Sequence, residues 1–217
     1  MKKLFIIFAV SAVSIYLQGQ GNSRISLDFT VSIGNSIFIN KLSGTTHQLS
    51  PQSTSQLLVN FPVGKNKFIS SGMGYETNRH LIDGIFIENQ NQFSFQQAPA
   101  NYTQNEILLD YLNIPVYLKQ KVGESSNSDF HISIGPVFSY LVLSNQKAKI
   151  NGTKQKVEAP VENKFRLGLG LDFDVKKKNK GPKGIFGGGI YYQVTKNLKD
   201  SKSFAPLTAC FRVGFGS

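Results

Sequence analysis

The chain has 217 residues, of which 40% are hydrophobic and 12% aromatic, a composition that builds an ordered structure and excludes a disordered tail. One cysteine, Cys210, excludes an internal disulfide framework. The formal net charge of +11 would suit a polyanion, but the N-terminus argues for export and so against nucleic acid as a partner.

That N-terminus reads MKKLFIIFAVSAVSIYLQGQ. Lys2 and Lys3 form a charged start, Leu4 to Leu17 a mostly apolar core, and Gly19-Gln20-Gly21 a small, polar exit. We expect a secretory signal over residues 1–20, cleaved near 19–21, and a single mature domain over residues 21–217. No later apolar run approaches the roughly 20 residues that a spanning helix needs, so any crossing of a membrane is made by strands.

Eight segments of strand character follow. The first, RISLDFTVSIGNSIFIN, alternates Ile25, Leu27, Phe29, Val31 and Ile33 with Ser26, Asp28, Thr30, Ser32 and Gly34. SQLLVNF and KFISSGMGYETNR are the second and third, joined by the tight PVGKN. The fourth is ILLDYLNIPVYLKQKV and the fifth DFHISIGPVFSYLVL; Pro115 and Pro136 within them predict a bulge or kink in the wall. The sixth, FRLGLGLDFDV, has the strictest alternation: Phe165, Leu167, Leu169, Leu171, Phe173 and Val175 on one face, Arg166, Gly168, Gly170, Asp172 and Asp174 on the other. GIFGGGIYYQV and PLTACFRVGFG complete the set, and the glycine run in the former reads as tight packing inside a strand.

The connections after the first, third, fifth and seventh segments are long, roughly 11 to 26 residues, and those between are roughly 5 to 8. A soluble sandwich has no reason to sort its loops by parity. An outer-membrane barrel does, with short periplasmic turns, long outer loops and an even strand count. The fold expected is therefore an all-β, antiparallel, up-and-down transmembrane β-barrel of eight strands. HLIDGIFIE, with a turn-like Asp83-Gly84, reads as a hairpin projecting from the second long loop rather than as a ninth wall strand.

Lipid then decides the faces. A lysine or arginine facing the bilayer midplane costs about 2–4 kcal/mol, so Asp28, Lys119, Arg166, Asp172, Asp174 and Arg212 are expected in a filled polar lumen, with Arg166 pairing the two neighbouring aspartates. Lys164 is expected on the same inner face. The basic stretch VKKKNKGPKG reads as a solvated turn, while basic residues elsewhere near a rim are available to lipid phosphates. Tyr75, Tyr111, Tyr117, Tyr140, Tyr191, Tyr192 and Phe215 are candidates for interfacial girdles, with lumen packing as the equal alternative for each tyrosine.

No catalytic motif emerges. His47 and His80 fall in outer-loop regions and His131 on the fifth strand, without a partner pattern that suits a metal or a cofactor; a rim-active lipid-modifying enzyme, which would need His80 or His47, is the third alternative after the two non-enzymatic roles given below. The loop ENQNQFSFQQAPANYTQN is nearly uncharged and sets Phe93, Phe95 and Tyr102 among amides, a composition able to contact a sugar or protein partner.

YLNIPVYLKQK followed by FHISIGPVFSYLV resembles the paired signature of the PorT-like outer-membrane β-barrel family common in Bacteroidetes. In that family an aromatic-Leu-x-Ile-Pro strand precedes a strand bearing Gly-Pro. The matching residues are Tyr111, Leu112, Ile114, Pro115, Gly135 and Pro136, and the resemblance runs from about residue 23 to the end. It implies a barrel in the outer membrane of a Gram-negative bacterium, with the outer-membrane lipids as surroundings and an accessory role in protein secretion as one function. The reading preferred from the residues themselves is a non-enzymatic structural or surface-interaction barrel, whose outer loops meet a surface protein.

Overall fold

A computed structural model describes residues 25–38, 50–81, 84–89, 92–97, 102–150, 153–157, 161, 163–178, 182–195 and 206–217. The expected signal at 1–20, and His47, lie outside the described residues.

Among the described residues there are eleven strands: β1 (Ser26–Phe38), β2 (Ser50–Gly64), β3 (Lys67–Leu81), β4 (Gly84–Asn89), β5 (Gln92–Gln97), β6 (Tyr102–Glu124), β7 (Ser128–Ile150), β8 (Thr153–Val157), β9 (Phe165–Lys177), β10 (Lys183–Gln193) and β11 (Pro206–Gly216). Hydrogen-bonded neighbours run β6-β3-β2-β1-β11-β10-β9-β7, and β6 pairs with β7 to close the ring. All of these pairings are antiparallel. The wall is thus a closed eight-stranded up-and-down barrel, as the alternation and loop parity predict. Closure leaves no open edge within it, the condition for crossing lipid with strands.

The faces follow the expected parity. Along β9, Arg166, Asp172 and Asp174 are buried, whereas Phe165, Leu169 and Phe173 are exposed at 73%, 51% and 49%. From Phe165 to Val175 the apolar row spans about 33 Å of strand, or about 25 Å along the axis at the usual barrel tilt, which matches an outer-membrane apolar band. Tyr140 and Phe165 pack at one end of that band, ring centroids 5.0 Å apart, and Phe29 and Phe215 at the other, 5.3 Å apart. Tyr75, Tyr140, Tyr192 and Phe215 sit on the outward face, whereas Tyr111 and Tyr117 are buried inside and Tyr191 packs against Arg166 in the lumen.

Glycines on β9 make room for the inward tyrosines. A Cβ at Gly168 would strike the Tyr191 ring, and one at Gly170 would come within 2.7 Å of the Tyr117 hydroxyl oxygen. A Cβ at Gly135 would strike the Val116 carbonyl oxygen, so the glycine of the Gly-Pro pair lets two strands approach closely. The prolines do not make the bulges the sequence suggests. Pairing of β6 with β7 skips from Pro115↔Val137 to Leu118↔Ile134 without a shift of register, and the shifts fall instead at Tyr102/Gln104, Asp110/Tyr111 and Lys121/Gly123. Pro115 removes a ladder donor, and its carbonyl accepts a hydrogen bond from Ser71 Oγ at 2.9 Å.

At the end bearing both described termini the turns are short. Gly64–Lys67 turns through Asn66, whose φ of 63° is a left-handed conformation that asparagine tolerates. At the next turn Lys121 Nζ meets Glu124 at 2.6 Å and Asp129 at 2.7 Å, and Lys178 reaches Glu124 as well. Hydrogen bonds from Lys121 and Lys178 hold the exposed Glu124 carboxyl down at about 2. Because that value is depressed, the contact is complete above the ordinary carboxylate range and is lost as pH falls from about 4.5 toward 2. Carboxyl NMR of the folded barrel should place the Glu124 midpoint at about 2, and a midpoint near the ordinary value of 4.5 would show that the contact does not persist in solution.

The second wall test concerns depth. Leu169→Arg, in the middle of the apolar row, should lower barrel stability by about 2–4 kcal/mol, and Gln120→Arg, outward near the short-turn end, by about 0–1 kcal/mol. Gel mobility of unheated samples across a urea series measures both. Equal losses would mean that the lipid band is misplaced.

Candidate functional site

The lumen holds three tiers of charge. Nearest the short turns, Asp28 on β1 accepts Lys119 Nζ from β6 at 2.7 Å, Lys176 Nζ from β9 at 2.8 Å and Asn60 Nδ2 from β2 at 2.9 Å. Lys176 Nζ also donates to the Ser217 carbonyl oxygen at 2.8 Å. One carboxylate therefore ties β1, β2, β6 and β9 together through the barrel's middle, and His131 is buried on the same inner face.

In the middle tier Arg212 on β11 reaches Asp172 at 2.7 Å and Asp174 at 3.6 Å, both on β9. The intervening β10 offers Gly187 and Gly189 directly opposite those aspartates, and a Cβ at either glycine would strike a carboxylate oxygen. The glycine run is what lets an arginine span from one strand to the next but one.

The upper tier centres on Glu76 of β3. Arg166 Nη2 donates to Glu76 Oε1 at 2.7 Å, Asn78 Nδ2 to the same oxygen at 2.5 Å, and Asn113 Nδ2 to Oε2 at 2.6 Å. The Arg166 guanidinium lies 3.9 Å from the Tyr111 ring centroid and 5.1 Å from that of Tyr191, within cation–π range of both rings. Asp28, Glu76, Asp172 and Asp174 thus meet an equal number of cations in Lys119, Arg166, Lys176 and Arg212. Between the middle and upper tiers lies a polar cavity of about 40 Å³, lined by residues that include Gln56, Asn113, Tyr117, Asp172, Cys210 and Arg212. That is room for a few water molecules and none for a solute.

All six charges expected in the lumen are there and buried: Asp28, Lys119, Arg166, Asp172, Asp174 and Arg212. Their pairing is different from that expected. Arg166 lies six residues from Asp172 on one strand, about 20 Å along it, too far to pair. Its partner is Glu76 and the aspartates' partner is Arg212. Glu76 and Lys176 are additional members. Lys176 belongs to the basic stretch read as a solvated turn, yet strand parity turns it inward to Asp28. Lys164, expected inside, is exposed ahead of β9. His80 is no loop residue: it lies on β3 and is only 3% exposed.

On the long-loop side, β-structure continues past the apolar band. About 9–11 residues suffice to cross, whereas β6 and β7 have 23 each. β8 adds to the outer part of β7, from Gln146↔Val157 to Ile150↔Thr153. β4 and β5 form a separate two-stranded sheet. The hairpin expected in the second long connection is therefore present, but Asp83-Gly84 does not turn it. Gly84 begins β4, whose partner is β5, with Asn89↔Gln92 at the turn end. Phe93 and Phe95 lie on β5 in register with Glu88 and Phe86, and Tyr102 opens β6.

The profile of a family described as outer membrane protein beta-barrel domain matches residues 18–201. Among solved structures the chain is similar to the neisserial surface protein NspA, at 9% identity over 89% of this chain and 96% of that one, with a TM-score of 0.47. It is similar to OprG of Pseudomonas aeruginosa at 7% identity over 89% and 95%, with a TM-score of 0.48. It is similar to Ail, the attachment invasion locus protein of Yersinia pestis, at 9% identity over 88% and 98%, with a TM-score of 0.40. No curated protein sequence matches it.

Removing one partner of the upper tier leaves a buried charge alone, a loss of about 3–5 kcal/mol. Glu76→Gln and Arg166→Met should each shift the urea midpoint of the barrel strongly, and the double variant should lose less than the two losses added. Simple additivity in the same urea series would show that the pair is not coupled.

Proposed function

The chain belongs to the outer membrane protein β-barrel domain family, and on that premise we propose that it is a non-enzymatic surface-interaction barrel of the Gram-negative outer membrane, exported by the signal at residues 1–20. Its wall and filled lumen serve as a rigid mount. Its contacts with a surface partner are made by the outer β-extensions, with Phe93, Phe95 and Tyr102 in the contacting region.

The observation that carries this reading is the length of β6 and β7, 23 residues each, together with the β4–β5 sheet on the same side of the barrel. Strands prolonged beyond the lipid hold their outer segments in fixed positions, which lowers the ordering cost of binding a partner. The absence of catalysis is supported by the burial of His80 and His131, at 3% and 8% exposed. A solute-sized passage is opposed by the three charge tiers and the about 40 Å³ cavity between two of them.

An accessory role in secretion is the second reading, and it rests on the PorT-like signature alone. Wall packing already accounts for two of its residues: Gly135 admits the Val116 carbonyl and Pro115 accepts from Ser71.

Replacing residues 84–97 by a short Gly-Ser linker should leave the heat-dependent gel shift of the barrel unchanged. It should abolish binding of intact cells to arrayed host-surface glycans and matrix proteins. Binding that survives the replacement, or that is absent from the parent, would overturn the surface reading. Periplasmic build-up of secreted proteins in a strain lacking the gene would favour the secretion role instead.

A further inference from the structure

Four lysines occupy facing register positions in the outer extension. In the β7–β8 pairing Lys147 is directly opposite Lys156, and Lys149 directly opposite Lys154. Residues two apart on a strand share a face, and directly opposed residues share it across the pair, with Cβ atoms about 5 Å apart. All four positions therefore belong to one patch. Between residues 147 and 157 the sequence KAKINGTKQKV contains no acid.

Lys147 identifies the face of these positions as the outward one. Lys147 is in register with Glu106 of β6, and Glu106 is two residues from Leu108 on the side opposite the buried Ile107. Among the described residues Glu106 is the carboxylate in register with the patch, and it is already engaged by Arg79 at 3.4 Å. Lys147 is exposed. On β7, Leu143 is 39% exposed and ends the lipid-facing apolar row, and Lys147 follows four residues later. Four residues advance about 13 Å along a strand, or about 10 Å along a tilted barrel axis. The headgroup layer on each side of a bilayer is about 5–7 Å thick, so the patch stands at its outer margin, within the reach of a lysine side chain.

Like charges directly opposed across a strand pair destabilise it unless an anion lies between them. We propose that Lys147, Lys149, Lys154 and Lys156 form a binding surface for the phosphate groups of anionic glycolipid in the outer leaflet, which grips the barrel's long β6–β7–β8 extension from the lipid side. Lipid phosphate is favoured over a soluble polyanion because the patch faces along the wall, directly above the apolar row, rather than away from the cell.

The test uses the whole folded barrel in neutral detergent. Diphosphorylated lipid A and its dephosphorylated form serve as probes in native mass spectrometry, and each protein's heat-dependent gel shift verifies its fold. Lys147→Gln, Lys149→Gln, Lys154→Gln and Lys156→Gln combined should weaken binding of the diphosphorylated lipid by tenfold or more. The combination Lys65→Gln, Lys67→Gln, Lys177→Gln and Lys183→Gln, at the short-turn end, should leave binding within twofold of the parent. Equal binding by the parent and the outer quadruple variant would overturn the proposal. So would equal binding of the two lipids, or inorganic polyphosphate displacing the lipid at matched phosphate concentration, which would assign the patch to a soluble polyanion.

Discussion

Everything inside this barrel is governed by the width of an eight-stranded ring. Such a ring encloses a space that side chains fill, with no column of water to solvate what they carry. A charge placed there must find its counter-charge on another strand. The four acids and four bases of the lumen satisfy that demand in three tiers: Asp28 with Lys119 and Lys176, Arg212 with Asp172 and Asp174, and Glu76 with Arg166. Because the outward face meets lipid, no alternative exit exists for any of them.

The tiers also specify the wall. Sliding one strand by a single residue turns its polar set to lipid and its apolar set to the lumen. Pairings between sequence-distant strands, such as Asp28 with Lys119 and Glu76 with Arg166, oppose such a slip from across the barrel, where backbone hydrogen bonds between neighbours cannot. The glycines of β10 belong to the same device, since only a strand without side chains at 187 and 189 lets Arg212 reach two strands away. A glycine run that reads in the sequence as tight packing inside a strand is also a passage for a salt bridge.

Period-two patterning made the wall legible in the sequence because lipid enforces it strictly on β9, where each outward residue from Phe165 to Val175 is apolar. It is weaker where lipid does not reach. β2 begins at Ser50, well before the apolar Leu57 and Val59, and its upper part leaves no period-two signal because the outward residues there, Ser53 and Ser55, are polar. The six lumen charges could be found from parity alone, but their partners could not, since a strand pattern carries no information about what lies across the barrel. Strand parity offers Arg166 the acids on its own strand face, Asp172 and Asp174, whereas its partner, Glu76, is 90 residues away. Lys176 was hidden by its company, lying in a run of lysines whose other members surround a turn. The inward tyrosines were ambiguous for a related reason: whether Tyr117 faces in or out depends on the parity of its own strand and also on Gly170 clearing a space opposite it.

A lumen this full places the consequences of the fold on its outside. The same strands that form the wall continue past the lipid, and the change of medium is written on their outward face: Leu112, Ile114, Val116 and Leu118 on β6 and Phe138 on β7 are apolar, and then Glu106 and Lys147 take their place. A hairpin standing free in water would need its own core to stay ordered. Here the outer segments inherit their alignment from strands already fixed by lipid, closure and the charge tiers, so they need no separate core. The long outer connections of such a barrel can vary in sequence without disturbing the wall, while their position above the membrane stays set by it.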